Sequence, residues 1–326
     1  MRLTAGDSTK GTAGDSFKIE VHELREMAAE WLSDCLLRNH AKGTIEKNKD
    51  ALKQVFWFFE KHQIDAVGTN EIKKFFLYLQ EAHLQSSGRW DNPNRRQPLR
   101  PTTIHFYYRV LRSMFNYLFN EEMIERNPMR KVKPPLVRSE IKQPLSNEHV
   151  SGLLRAAKKS EHAKRDTAIV LVLLDSGIRA NELCSLRVCD YELESRSLKI
   201  FGKGNKIRTV FLGIAATKAV NSHLRRTKAS GDAPLFLSHK NVKLTASGIY
   251  QLLDRLSKMA GIKNYGVHAL RRTFAVNMLR EGANVFTVQQ LMGHSDLSMT
   301  RKYCAIAEAD IAQQHAKFSP ADRLNL

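Results

Sequence analysis

Six residues in the second half of the chain have the types that phosphoryl-transfer chemistry needs. Arg179 stands in "SGIRANEL", Lys203 in "GKGNK", His268 and Arg271 in "HALRRTFA", His294 in "LMGHS" and Tyr303 in "TRKYC". A tyrosine hydroxyl attacking a phosphodiester drives it through a pentacoordinate state with extra negative charge on the non-bridging oxygens. Two arginines can clamp that charge bidentately. A lysine can protonate the leaving oxygen, and histidines can hold or move protons. The phenol, with an ordinary pKa of about 10, needs such cationic surroundings to attack as an oxyanion.

Taken singly, each residue has an ordinary reading. An arginine at a helix start is a salt-bridge partner, a hairpin lysine is solvated, and a tyrosine is half-buried packing. Residues 285–303 also have the length of a helix–turn–helix reading head. A repressor of that kind would not need Arg179, Lys203 and the His268/Arg271 pair upstream. It is their joint chemical complementarity that favours a reactive site.

These groups must be brought together by the elements that carry them. Arg179 follows the Gly177 turn at a helix start, and His268 and Arg271, three apart, share one helical face. Two β-rich runs, 197–201 and 207–212, flank Gly202-Lys203-Gly204-Asn205, a hairpin signature. The phosphate-binding loop pattern ending in Gly-Lys-Ser/Thr is absent. From Phe17 to about Asn127 the pattern is helical, with Thr44 and Thr69 as expected caps. The stripes behind them (Leu52, Val55, Phe56, Phe59; then Ile72, Phe75, Phe76, Leu79) read as core. An arginine-bearing loop, "QSSGRWDNPNRRQPLRP", precedes a helix carrying Val110, Leu111, Met114 and Leu118. The first domain is therefore expected to be an all-helical bundle. "RNPMRKVKPPLVRSEIKQPLS" holds Pro128, Pro134, Pro135 and Pro144 among basic residues, so it reads as an extended basic strap.

The chain has 326 residues, enough for two cores, and Lys plus Arg outnumber Asp plus Glu by 52 to 33, a net charge of +19. Such an excess points to a polyanionic partner. No apolar run is long enough to span a bilayer, and no secretory leader is recognisable, so a cytoplasmic, nucleoid-associated location is expected. Cys35, Cys184, Cys189 and Cys304 are too sparse for a disulfide framework, and they lack the spacing of a zinc site. No metal or cofactor is expected. The first sixteen residues repeat "TAGDS" and read as a flexible tail.

The order Arg179, Lys203, His268 with Arg271, His294, Tyr303, and the words around them, resemble the tyrosine recombinases, the family of phage-type integrases and the Xer and Cre recombinases. The resemblance runs from about residue 20 to the C-terminal segment. It implies a mainly α fold with a small β-sheet (α+β), built as a two-domain, C-shaped DNA clamp. The expected parts are a tail (1–16), a helical core-binding, SAM-like domain (17–127), a basic linker (128–145), a catalytic domain (146–305) and a C-terminal helix and tail (306–326). It implies that Tyr303 attacks the scissile phosphate to give a 3′-phosphotyrosyl link, with Arg179 and Arg271 on the phosphorane. Lys203 would be the leaving-group acid, His268 the proton acceptor and His294 a hydrogen-bond donor to the phosphate, with Glu182 supporting the site. Two strand exchanges would pass through a Holliday junction in a homo-tetramer on inverted DNA half-sites, the C-terminal segment docking on a neighbour. Thr44, Lys206 and Arg208 are expected DNA contacts from their capping and hairpin positions. The length of the 85–100 loop leans toward a mobile-element enzyme over chromosome-dimer resolution. A type IB topoisomerase shares the chemistry and remains a rival reading.

Overall fold

Large apolar side chains at three- and four-residue spacing build the first half of the chain from helices. In the computed structural model the described residues are 17–84, 87–137, 142–202, 207–238, 241–293, 300, 303–304, 315–316 and 319–323. They belong to two units, Met1–Ser139 and Glu140–Leu326.

The first unit runs β1 (Ile19–Glu20), α1 (Val21–Leu37), α2 (Lys42–Lys61), β2 (Ala66–Val67), α3 (Thr69–Gln80) and α4 (Pro101–Asn120). Phe59, Phe75, Phe115, Leu111 and Leu118 are buried at its centre, and the Phe58 and Phe75 rings meet edge to face at 5.3 Å. Pro101 opens α4 at a position where a missing N–H costs nothing. The unit is not purely helical, because β1 pairs with β2 antiparallel, Ile19 opposite Val67. Both residues are buried, so the ladder closes the core where α1 begins.

Neither threonine caps its helix. Helix α2 starts at Lys42 behind Ala41, which leaves Thr44 exposed in the first turn. Thr69 is the first residue of α3; the Glu71 carboxylate satisfies the Gly68 N–H at 3.0 Å. The Thr69 hydroxyl instead donates to the Pro128 carbonyl at 2.9 Å. That bond, with buried Met129 and Val132, draws the start of the basic stretch into the first core. At its other end the Leu145 N–H donates to Thr273 Oγ1 at 2.8 Å, so the strap is anchored at both ends within its respective unit.

The second unit runs α5 (Asn147–Lys159), α6 (Ala163–Ser176), α7 (Ala180–Ser185), β3 (Tyr191–Glu192), β4 (Ser197–Phe201), β5 (Ile207–Phe211), α8 (Ile214–Thr227), α9 (Ala246–Met259), α10 (Val267–Arg280) and α11 (Val285–Met292). Ser146 caps α5 by accepting from the His149 N–H. Ala168, Ile169, Val170, Val172 and Leu173 of α6 are wholly buried, as expected for a helix apolar on nearly every side. The strands form an antiparallel sheet in the order β3-β4-β5, with Leu198 opposite Val210 on the buried face. The expected hairpin is therefore present, although its tip (203–206) lies outside the described residues. So does the tail over 1–16, and so does most of the helix expected over 306–326. No helix among the described residues is long and apolar enough to cross a membrane.

Gly177 ends α6 in the left-handed region, at φ +61. A Cβ there would lie 2.3 Å from the Phe274 ring of α10, so both backbone angle and packing demand glycine. Gly177→Ala is expected to destabilise the chain by about 2 kcal/mol or more in urea unfolding followed by circular dichroism. Adding Phe274→Leu should recover the clash component alone; a purely additive double variant would show that the ring contact carries none of the cost.

Candidate active site

The last carbonyls of a helix have no intrahelical donor. At the end of α11 three successive carbonyls are taken by arginines from three other elements. Leu291 O accepts from Arg208 Nε at 2.8 Å, Met292 O from Arg271 Nη2 at 2.7 Å, and Gly293 O from Arg179 Nη2 at 3.2 Å. Arg208 is on β5, Arg271 on α10, and Arg179 is the residue before α7. The negative end of the α11 dipole favours cations at this place. Gly293, at φ +64, is where the chain turns out of the helix, and a Cβ on it would stand 2.9 Å from the Arg208 guanidinium. Arg271 also donates to the Gly177 carbonyl, which ties the cluster to the end of α6.

One carboxylate orders this array. Glu182 accepts from the Arg179 N–H at 2.8 Å and from Arg179 Nη1 at 2.9 Å. It also takes the Arg208 fork, Nη1 to Oε1 at 2.9 Å and Nη2 to Oε2 at 2.8 Å. Such two-point pairing fixes both planes relative to each other. Burial by itself pushes the Glu182 carboxyl up, but Arg208 first and then Arg179 outweigh it and hold the pKa at about 2. Arg271 is buried; burial first, then the adjacent Arg179, lowers its guanidinium to about 10, with Glu182 and Tyr303 acting the other way. It is still charged at neutral pH. The Arg179 side chain is 42% exposed, so among these three arginines it is the one most open to a ligand.

His268 stands one turn before Arg271. It keeps an exposed surface, yet partial burial, then Arg271, Arg179 and Arg272, lower its pKa from the ordinary value. At neutral pH it is an uncharged imidazole that can accept a proton. Tyr303 is half-buried and packs against the cluster formed by Phe274, Ala275, Val288 and Met292. Its phenol acts electrostatically on both Arg271 and Arg272. Three guanidinium groups, those of Arg179, Arg208 and Arg271, thus lie about one carboxylate, and their mutual repulsion favours an anion between them.

Arg179, Glu182, His268, Arg271 and Tyr303 are therefore gathered in one place. Lys203, Lys206 and His294 lie outside the described residues. Arg208 departs from the expectation of a DNA contact: its guanidinium turns inward, 14% exposed, onto Glu182 and Leu291. Its hairpin position suggested an outward cation, and the partner that recruits it is 26 positions away. Glu182 was expected only from the family resemblance; the Arg-x-x-Glu spacing at 179–182 is a local signal for it as well, because it is the reach of a capping side chain to the preceding N–H. Thr44 belongs to the first unit, where it lines a trough of about 730 Å³ between α2 and α4 with Lys47, Asn48, His105, Arg109 and Arg112.

A carboxyl depressed from 4.5 to about 2 stabilises the fold fully above pH 4.5, and that contribution is lost as pH falls through about 2. The shift corresponds to about 3 kcal/mol. Glu182→Gln should lower stability at pH 7 by an amount of that order and flatten the loss between pH 4.5 and 2 relative to wild type. Parallel acid titrations followed by circular dichroism would check this, and identical slopes would contradict it.

The second half matches the model of the phage integrase family over residues 143–310, and the first half matches that of the phage integrase SAM-like domain over 24–134. Tyrosine recombinase XerC of Leptospira interrogans serogroup Icterohaemorrhagiae is 30% identical over 296 residues, covering 88% of this chain and 90% of that one. Tyrosine recombinase XerD of Listeria innocua serovar 6a is 31% identical over 235 residues, 69% of this chain and 79% of its own. Among solved structures, the integrase of transposon Tn1549 in complex with transposon right end DNA superposes with a TM-score of 0.69 at 19% identity, over 94% of this chain and 100% of that one. The chain belongs to the phage integrase family and is a site-specific tyrosine recombinase.

Proposed function

We propose that this recombinase cuts and rejoins DNA through a covalent link to Tyr303. The Tyr303 oxygen attacks the scissile phosphorus, the bond to the 5′-oxygen breaks, and a 3′-phosphotyrosyl link and a free 5′-hydroxyl result. His268 accepts the phenolic proton, and Lys203 returns a proton to the departing 5′-oxygen. Arg179 and Arg271 neutralise the non-bridging oxygens, and His294 donates to one of them. Glu182 orients Arg179. The 5′-hydroxyl of a second DNA end then attacks the phosphotyrosine and releases Tyr303. Each step exchanges one phosphodiester for another, so neither a nucleotide nor a metal is required.

The observation that carries this reading is the set of three arginines on the Leu291, Met292 and Gly293 carbonyls, with Tyr303 packed against the same helix and within electrostatic reach of Arg271. We further propose that residues 17–127 are the core-binding domain, whose α2–α4 trough holds one side of the duplex with Thr44 at its edge, and that 146–305 are catalytic. The solved relatives bound to DNA support a double-stranded DNA partner. Two inverted half-sites, a homo-tetramer joined through residues 306–326, a Holliday junction between two rounds of exchange, and a cytoplasmic, nucleoid-associated location complete the reading.

The test uses a nicked suicide duplex carrying a site recovered by selection from random sequence. Wild type should form a covalent adduct on a denaturing gel, EDTA or not, and Tyr303→Phe should bind the duplex without forming it. An adduct with Tyr303→Phe removes the nucleophile assignment. Because the His268 pKa is held below 6.5, single-turnover cleavage should persist on acidification past 6.5 and decline only at lower pH. In His268→Gln the rate should be lower and that acid limb absent; an unchanged limb would exclude His268 as the base.

A further inference from the structure

The loop between α3 and α4 is costly to hold. Gly88, Trp90 and Asp91 take φ of +87, +55 and +52, in a region that only glycine enters readily. The Nε of Arg89 and the indole Nε1 of Trp90 are buried without a hydrogen-bond partner among the described residues. Strain and unsatisfied donors of this kind persist only where the surroundings over-determine the conformation. Here Arg89, 1% exposed despite its place in a basic loop, does so. Its Nη2 donates to Glu81 O and its Nη1 to Gln97 O, both at 2.9 Å, stapling the two ends of the loop together. The His83 N–H donates to Arg96 O at 2.7 Å, the Leu99 N–H to Leu79 O at 3.0 Å, and Lys61 pairs with Asp91 at 3.1 Å.

This scaffold leaves Arg95, Arg96 and Arg100 exposed on one short segment. Arg95 lies over the Trp90 ring, 5.4 Å from its centroid, which restricts a side chain that is otherwise among the most mobile. Trp90 in turn rests against Tyr107 of α4 at 6.2 Å, and the Tyr107 hydroxyl donates to Gln54. Gln54 lines a cavity of about 390 Å³ with Lys47, Thr102 and Phe106. Lys47 and Phe106 also line the α2–α4 trough. The two hollows thus share Lys47 and Phe106, and a chain of side-chain contacts from Gln54 through Tyr107 and Trp90 ends at Arg95. Arg89 adds a buried charge whose guanidinium meets two carbonyls and, among the described residues, no carboxylate, so the loop's positive potential is not cancelled from beneath.

We propose that residues 87–100 are a prefolded DNA-contacting arm of the first unit, in which Arg95, Arg96 and Arg100 take backbone phosphates lying beyond the α2–α4 trough. The inference rests on the reading of that trough as a duplex-binding face. Because the arm is ordered before binding, its contacts carry little entropic penalty. Its role is affinity and placement; phosphate contacts of this kind carry no base sequence.

The experiment compares full-length wild type with Arg95→Ala/Arg96→Ala on a selected duplex of about sixty base pairs, by titration at several salt concentrations and by phosphate ethylation interference. Each phosphate contact contributes about 0.9 to the salt slope, so the double variant should lose close to 2 from it and bind about tenfold or more weakly. A discrete group of phosphates at one edge of the footprint should lose interference while the rest of the map is unchanged. Arg89→Ala, which removes the staple and leaves the exposed arginines, should reproduce part of the same local loss. An unaltered interference map overturns the arm whether or not affinity falls, because a general charge effect touches no particular phosphate. Wild type that shows no salt-sensitive binding to any duplex overturns the DNA reading of the unit, and the arm with it.

Discussion

Three backbone carbonyls at the C-terminal end of α11 organise the candidate site of the second unit. Leu291, Met292 and Gly293 present them in succession, and each holds an arginine from a different part of the chain. Helix ends normally satisfy such groups with water or a capping turn. Here they serve as a template that brings together β5, α10 and the start of α7. Because the acceptors belong to one helical turn and to Gly293, their spacing is set by helix geometry, and the guanidinium spacing follows from it. Displacing the end of α11 would misplace all three cations at once.

Concentrating positive charge in this way is unfavourable until something negative enters. Glu182 offsets part of it, and the two-point pairing with Arg208 makes it a fixed partner, held ionised to about pH 2. The remaining surplus bears on Arg271, which burial and Arg179 lower to about 10, and on His268, kept neutral near pH 7. A phosphodiester placed among these groups would relieve that repulsion. The relief would grow as charge develops on the non-bridging oxygens, the condition for faster reaction as opposed to tighter binding. The glycines serve the same end. Gly177 lets Phe274 close on the end of α6 while its carbonyl takes Arg271, and Gly293 lets Arg208 pass over the end of α11.

Much of this was legible in the residues themselves. The helices α2, α3 and α4 followed from apolar stripes, and the β4–β5 hairpin from two β-rich runs around a glycine-rich turn. The functional words "GIRANEL", "HALRRTFA" and "TRKY" contain residues that the fold does bring together. Boundaries and caps were less legible. Thr69 has the right chemistry to cap α3 but is drawn to the Pro128 carbonyl, a partner 59 positions away, while Glu71 takes over the cap. Arg89 looked like one of four surface arginines, yet it is the buried staple of its loop. Arg208 looked like an outward hairpin cation and is instead the clamp on Glu182.

The errors share one cause. Periodicity and local spacing report interactions within a few residues, because side chains three or four apart on a helix, or facing each other across a tight turn, are neighbours in any fold that contains the element. The sequence by itself therefore determined the helical character of both units, the basic excess, the family and the candidate residues that the second unit gathers. It could not determine which of several arginines faces solvent and which is held inside, since that depends on acceptors supplied from distant segments. Only the tertiary structure decided that Arg208 and Arg89 are internal and that the α11 carbonyls hold the arginines. A buried guanidinium is stable only where particular carbonyls or carboxylates converge on it, and packing alone brings them there.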